Sequence, residues 1–158
     1  MTPHASGNLK CQYVVGSAEW NTVTPTYSDA FFMGIRDTAA GLPVPTNVAL
    51  LPGTNTPIAI TTITRNVNSQ YLVLNPKNTT LFAPTNVEHH VGYQGFTTLL
   101  ETVPYSVQAG KTYRISLKIA DGDDKYYDST VWRVLDRSRW RCSLLIPASC
   151  DSNNVHEI

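Results

Sequence analysis

The chain has 158 residues, with twelve basic and twelve acidic side chains, no net charge and only 15 % charged residues. That length fits one domain with a core of its own. Neutrality argues against nucleic acid, which leaves a basic footprint. The lack of any apolar run of about 18 residues argues against membrane insertion through a helix.

Met1-Thr2-Pro3-His4-Ala5 has neither a basic n-region nor an apolar h-region. The expectation is a cytoplasmic protein, or a module cut from a larger exported chain. Ten Pro, nine Gly and many Thr and Asn point to an all-β, loop-rich fold. Short apolar runs between turn residues place candidate strands at 12–15, 30–35, 47–51, 58–64, 70–74, 95–102, 113–120 and 130–135. Pro52-Gly53, Asn75-Pro76 and Ala109-Gly110 are turn signals between them.

The clearest strand starts at Tyr113. Tyr113, Ile115, Leu117 and Ile119 share one face, and Arg114, Ser116 and Lys118 share the other, the alternation of a half-buried strand. Where it ends, Asp121, Asp123, Asp124 and Asp128 put a third of the chain's acidic residues into eight positions. Like charges this close repel unless solvated or bridged by a cation, and hard oxygens on a turn suit Ca²⁺. One reading is therefore a Ca²⁺ site of Asp121, Asp124 and Asp128, helped by Asp123 or Asp29. The other is a solvated acidic turn braced by Asx-type hydrogen bonds. The loop lacks the EF-hand spacing and its closing Glu. Tyr126, Tyr127 and Trp132 flank it. They either stack on a sugar or peptide ligand, or Tyr127 and Trp132 are core residues.

Other candidates carry less. His89-His90 would point to opposite faces of a strand, a poor bidentate arrangement, and reads as a solvated loop beside Glu88. His4 and His156 lie near the termini, where disorder concentrates. Asn78-Thr79-Thr80 is a formal glycosylation sequon. There is no Gly-x-Ser-x-Gly, Walker A, HExxH or GxGxxG motif. Glu101 with an Asp of the loop could form a glycosidase pair only at the right separation, so no catalytic residue is assigned. Cys11, Cys142 and Cys150 are odd in number, which leaves at least one thiol over. Cys142 and Cys150 could bridge a short loop, or all three could be unpaired.

Several motifs carry a resemblance. They are Tyr27-Ser28-Asp29-Ala30-Phe31-Phe32, Asn47-Val48-Ala49-Leu50-Leu51-Pro52-Gly53-Thr54-Asn55-Thr56-Pro57-Ile58-Ala59-Ile60, Asn68-Ser69-Gln70-Tyr71, Tyr93-Gln94-Gly95-Phe96-Thr97, and the stretch from Lys111-Thr112-Tyr113 to Asp128-Ser129. In order and spacing they resemble the bacterial choice-of-anchor L domain, from about residue 27 to 131. The resemblance implies an extracellular β-sandwich module of surface, secreted or adhesin-like proteins. It implies no catalytic mechanism. Carried over by position, the acidic positions fall on Asp121, Asp124, Asp128 and Asp29, and Asp123 stands where the family tends to have Gly. Gln94 replaces a family Asp, removing a charge from a possible binding face. A family Cys before the Thr-Tyr strand is absent at Gly110-Lys111, which leaves Cys11 without an obvious mate.

After Val131 the chain departs from the resemblance. Arg133, Arg137, Arg139 and Arg141 bring four of the twelve basic residues into nine positions. Codons able to encode 132–139, read one base later, can give Gly-Gly-Ser-Trp-Ile-Glu-Ala-Gly, similar to the family strand that should follow. The expected division is a domain over 1–131 and an atypical tail over 132–158 that is frameshifted or otherwise non-native. The coding DNA tests this.

The sequence thus predicts an all-β, jelly-roll-like antiparallel sandwich at the cell surface or outside the cell. It would be a structural or ligand-binding module stabilised by Ca²⁺, with a glycan or peptide partner. A calcium-dependent, lectin-like domain is the alternative.

Overall fold

A computed structural model describes residues 1–20, 29–39, 41, 44–75, 93–120, 129–133, 135–136, 139–140, 142–145 and 156–157. Among the described residues the two larger of three antiparallel sheets pack face to face, residues 135–136 and 139–140 forming the small third, and the all-β sandwich expected from the sequence is what the chain forms. The strands are β1 (Gly7–Ser17), β2 (Ala30–Asp37), β3 (Thr46–Asn47), β4 (Ile58–Ala59), β5 (Leu72–Leu74), β6 (Gly95–Thr97), β7 (Leu100–Glu101), β8 (Tyr105–Val107), β9 (Tyr113–Ala120), β10 (Ser129–Arg133), β11 (Leu135–Asp136), β12 (Arg139–Trp140), β13 (Cys142–Leu145) and β14 (His156–Glu157).

β1 organises the first sheet. β6, β7 and β8 pair along one edge, and β10 and β13 pair end to end along the other. β5 extends the sheet beyond β6, and β14 beyond β13. In the second sheet β2 pairs with β9 over its whole length on one side, and with β3 and β4 on the other. Alternation sets the core: Leu9, Cys11, Tyr13 and Val15 of β1 are buried against Phe31, Met33 and Ile35 of β2. The rings of Tyr13 and Phe31 meet between the sheets at 5.0 Å.

β9 matches its predicted bounds, but its burial fades along its length. Tyr113 is buried and Ile119 is 39 % exposed. The runs at 12–15 and 30–35 extend to β1 and β2, which are longer than predicted, whereas those at 58–64 and 95–102 are cut short where threonine hydroxyls take over ladder positions. At 58–64 the strand stops at Ala59. Thr62 Oγ1 accepts from the Ala59 N–H at 2.9 Å, and Ile63 N–H closes onto the Ala59 carbonyl. The run at 95–102 splits into β6 and β7. Thr97 Oγ1 accepts from Val15 N–H and Thr102 Oγ1 from Cys11 N–H, each at 3.0 Å, in place of main-chain carbonyls. The run at 47–51 is paired only at its start, with Leu50 bridging Pro57. β8 was not foreseen, since Pro104 and Ser106 interrupt its apolar pattern.

His156, expected in a disordered terminus, lies in β14 opposite Leu144. Gly53 and Gly110 take φ of 73° and 75°, left-handed values that glycine tolerates. Both predicted turns therefore have a backbone reason.

Candidate functional site

Strand ends define the site. Ser17 lies opposite both Gly95 and Ser129, Leu74 opposite Gly95, and Ala30 opposite Ala120. The ends of β1, β5 and β9 and the starts of β2, β6 and β10 therefore gather at one end of the sandwich. The segments 21–28, 76–92 and 121–128 leave from and return to this end.

Buried polarity also collects here. Ser17, Glu19, Asp29 and Asn75 are four of the six buried polar residues among those described. Asp29, just before β2, is 3 % exposed. Its Oδ2 accepts from Ser129 Oγ at 2.7 Å, joining the first residue of β10 to the second sheet. Its carbonyl accepts from Ile60 N–H at 2.9 Å. Ser129 and Ala120 bracket the acidic segment, so Asp29 sits at its base. Asn75 closes the base of 76–92: its Nδ2 donates to the Tyr93 carbonyl at 3.0 Å, and its N–H to the Gln94 carbonyl at 2.8 Å. Trp20 is buried beside them, with Nε1 donating to the Ile63 carbonyl at 2.9 Å.

Asp29 and Ser129 also line a cavity with Val15, Trp20, Phe31 and Ile119, of about 10 Å³. That is near the lower limit for a single water, so this space between the sheets admits neither a sugar nor a peptide side chain.

Of the predicted metal ligands, Asp29 is described. Asp121, Asp123, Asp124 and Asp128 lie outside the described residues, as do Tyr126, Tyr127, His89 and His90. Among the described residues no group of three His, Cys, Asp or Glu side chains is assembled. Trp132 is half-buried, and its ring edge meets Tyr93 at 5.3 Å and 79°. It also lies over Gly16, where an added Cβ would stand 2.3 Å from the ring.

Side chains alternate along β10. Ser129 reaches Asp29 and Val131 packs on the core, so Thr130 and Trp132 occupy the opposite face. Trp132 and Asp29 therefore do not share a face of the sheet. Gln94 is half-buried next to Tyr93 in the chain, and its carbonyl accepts from Asn75 N–H. Glu101 is far from this end: it faces Gln12 in the middle of β1 and pairs with Lys10 Nζ at 2.6 Å.

Sequence reasoning missed two members of this end. Glu19 is 3 % exposed, and an isolated acid in a turn gives no sign of burial. Ser129 becomes visible only once β10 lies across from Asp29.

Fold and site together define an all-β sandwich module whose long connections share one end. The family comparison is specific: the Choice-of-anchor L domain matches residues 2–133, and the chain belongs to that family. Such domains are generally found in surface or secreted bacterial proteins, and the family association is with surface anchoring. No curated protein and no solved structure matches the chain. Among the described residues no helix is long and apolar enough to cross a membrane. The match ends with the last residue of β10, so β11 to β14 lie beyond it.

Proposed function

We propose that this is a non-catalytic extracellular module, stabilised by Ca²⁺ at the end where its long connections meet. Asp121, Asp124 and Asp128 would hold the ion, with Asp123 and Asp29 assisting. The supporting observation is Asp29: a carboxylate kept inside the sandwich at the base of an acidic segment, with one oxygen held by Ser129. Carboxylate oxygens are the donors Ca²⁺ takes. Ca²⁺ would draw the repelling aspartates of the segment together.

The test is the melting temperature of EDTA-treated protein titrated with Ca²⁺, with Mg²⁺ as control. A ligand that binds only the native state raises stability by mass action. The expected result is a Ca²⁺-specific rise, lost in Asp121→Ala and Asp128→Ala and reduced in Asp29→Asn. A cooperative melt that ignores Ca²⁺ would reduce the segment to a solvated turn on a scaffold module.

A second reading, recognition of a glycan or peptide, is favoured by the Tyr93–Trp132 pair on the outer face of the first sheet, with Gln94 next to Tyr93 in the chain. Half-buried aromatics with an amide nearby suit sugar stacking. Because Trp132 and Asp29 are on opposite faces, such binding need not use the calcium. Glycan and peptide arrays run with Ca²⁺ and with EDTA distinguish the two. Binding lost in Trp132→Ala but retained in EDTA supports the outer face.

A further inference from the structure

We infer that Cys142 is the disulfide partner of Cys11, and that this bond ties the segment beyond the family match to the central strand of the module. Cys11 is disulfide-bonded in the structure and buried at 2 % exposure. Its N–H and carbonyl are both used by Thr102 on the β7 edge, at 3.0 and 2.9 Å. On the opposite edge Cys11 therefore stands at a non-hydrogen-bonded position, and the residue facing it there is Cys142 of β13. Non-hydrogen-bonded antiparallel pairs bring Cα atoms to about 4.5 Å, within the range that a disulfide spans. Cys150 has no such position in the described ladder. The mate that Cys11 lacked in the sequence is thus supplied from beyond residue 133.

The chemistry needs an external disulfide, low-molecular-weight or carried by an oxidoreductase. The Cys11 thiolate attacks one of its sulfurs and expels the other as a thiolate. The Cys142 thiolate then attacks the Cys11 sulfur of the mixed disulfide and expels the second. Two electrons pass to the oxidant, and the two protons from the cysteines end on its thiols. An extracellular module meets such oxidants. The bond encloses residues 12–141, so tension applied outside it would pass through it without extending the enclosed strands.

The experiment is disulfide mapping of the full chain, purified without reductant and alkylated while denatured. Trypsin leaves Cys142 and Cys150 on one peptide, so cleavage after Leu144 or Leu145 is required. The expected product joins the Cys11 and Cys142 peptides, with Cys150 alkylated. Alkylated Cys11, or Cys11 joined to Cys150, overturns the inference. In the folded chain, Cys142→Ser should release the Cys11 thiol and lower the melting temperature by as much as reduction does. Cys150→Ser should change neither. A Cys150→Ser chain that frees Cys11 would equally overturn it. Mapping of the unaltered chain decides the matter even if a variant does not fold.

Discussion

The two ends of this sandwich are built differently from the same strands. At one end the chain is stapled to itself. Tyr113 N–H donates to the Met1 carbonyl at 2.8 Å, Gly110 N–H to Pro3 at 2.9 Å, and Thr38 N–H to Thr112 at 2.9 Å. The Tyr113 hydroxyl accepts from Gln108 N–H at 2.9 Å, and its ring meets Tyr105 edge-on at 6.1 Å. At the other end β9 runs out with Ile119 half-uncovered, and buried polar side chains join the main-chain bonds of Asp29 and Asn75. One end closes the fold through backbone bonds between short turns. The other anchors long connections through Asp29, Asn75 and Trp20. Binding residues are commonly carried on loops held by a rigid scaffold, and this division supplies such a scaffold.

The contrast can be broken most strongly through what both ends share. Phe31→Ala empties the middle of the core against Tyr13 and should cost about 3–5 kcal/mol, read by denaturant unfolding, with both ends lost in one transition. Gly16→Ala acts at the open end only. Its new Cβ collides with Trp132, and overpacking of this kind costs about 1–3 kcal/mol. The same substitution made in a Trp132→Ala background should cost less, and a double-mutant cycle with no coupling would disprove the contact.

Asp29→Asn should cost about 1–3 kcal/mol, since it disturbs a buried hydrogen-bonded carboxylate, and Ser129→Ala should cost less. Equal, negligible effects for both would mean that Asp29 does not join the sheets.

A smaller effect concerns pH. Burial pushes the Tyr13 hydroxyl well above the ordinary tyrosine range, and no hydrogen bond to it is made among the described residues. Tyr105 is raised too, by burial and then by Tyr113 and Asp37. The unfolded chain therefore ionises first. Stability is complete below the ordinary tyrosine value and declines as pH rises above it. Tyr13→Phe should be neutral or slightly stabilising near neutral pH, and should flatten that alkaline decline. The smallest effect belongs to Lys10 and Glu101, 25 % and 42 % exposed at the side chain. Glu101→Gln should change stability by no more than about 1 kcal/mol, and by less in high salt.

Much of the sandwich was legible before any coordinates. β9 showed itself through strict alternation from Tyr113 to Ile119, and β2 as the apolar run at 30–35. The family motifs fixed the neighbourhood of Asp29 and of the acidic segment. The broken strands were not legible. A threonine reads as a good strand residue, and only its partner shows whether the hydroxyl replaces a carbonyl, as at Thr62, Thr97 and Thr102. Within the site, Asp29 was named from the sequence, while Ser129, Glu19 and the role of Asn75 were not. Trp132 was left between ligand and core. It proves to pack on Tyr93 and Gly16, on the face of β10 away from Asp29.

By itself the sequence determined the all-β class, the faces of β9, the glycine turns and the family, because these depend on local periodicity and on motif spacing. Tertiary structure alone decided that three distant connections share one end, that Asp29 meets Ser129 a hundred residues away, and that Cys11 faces Cys142. Each depends on strand register, which long-range pairing sets and no local pattern encodes.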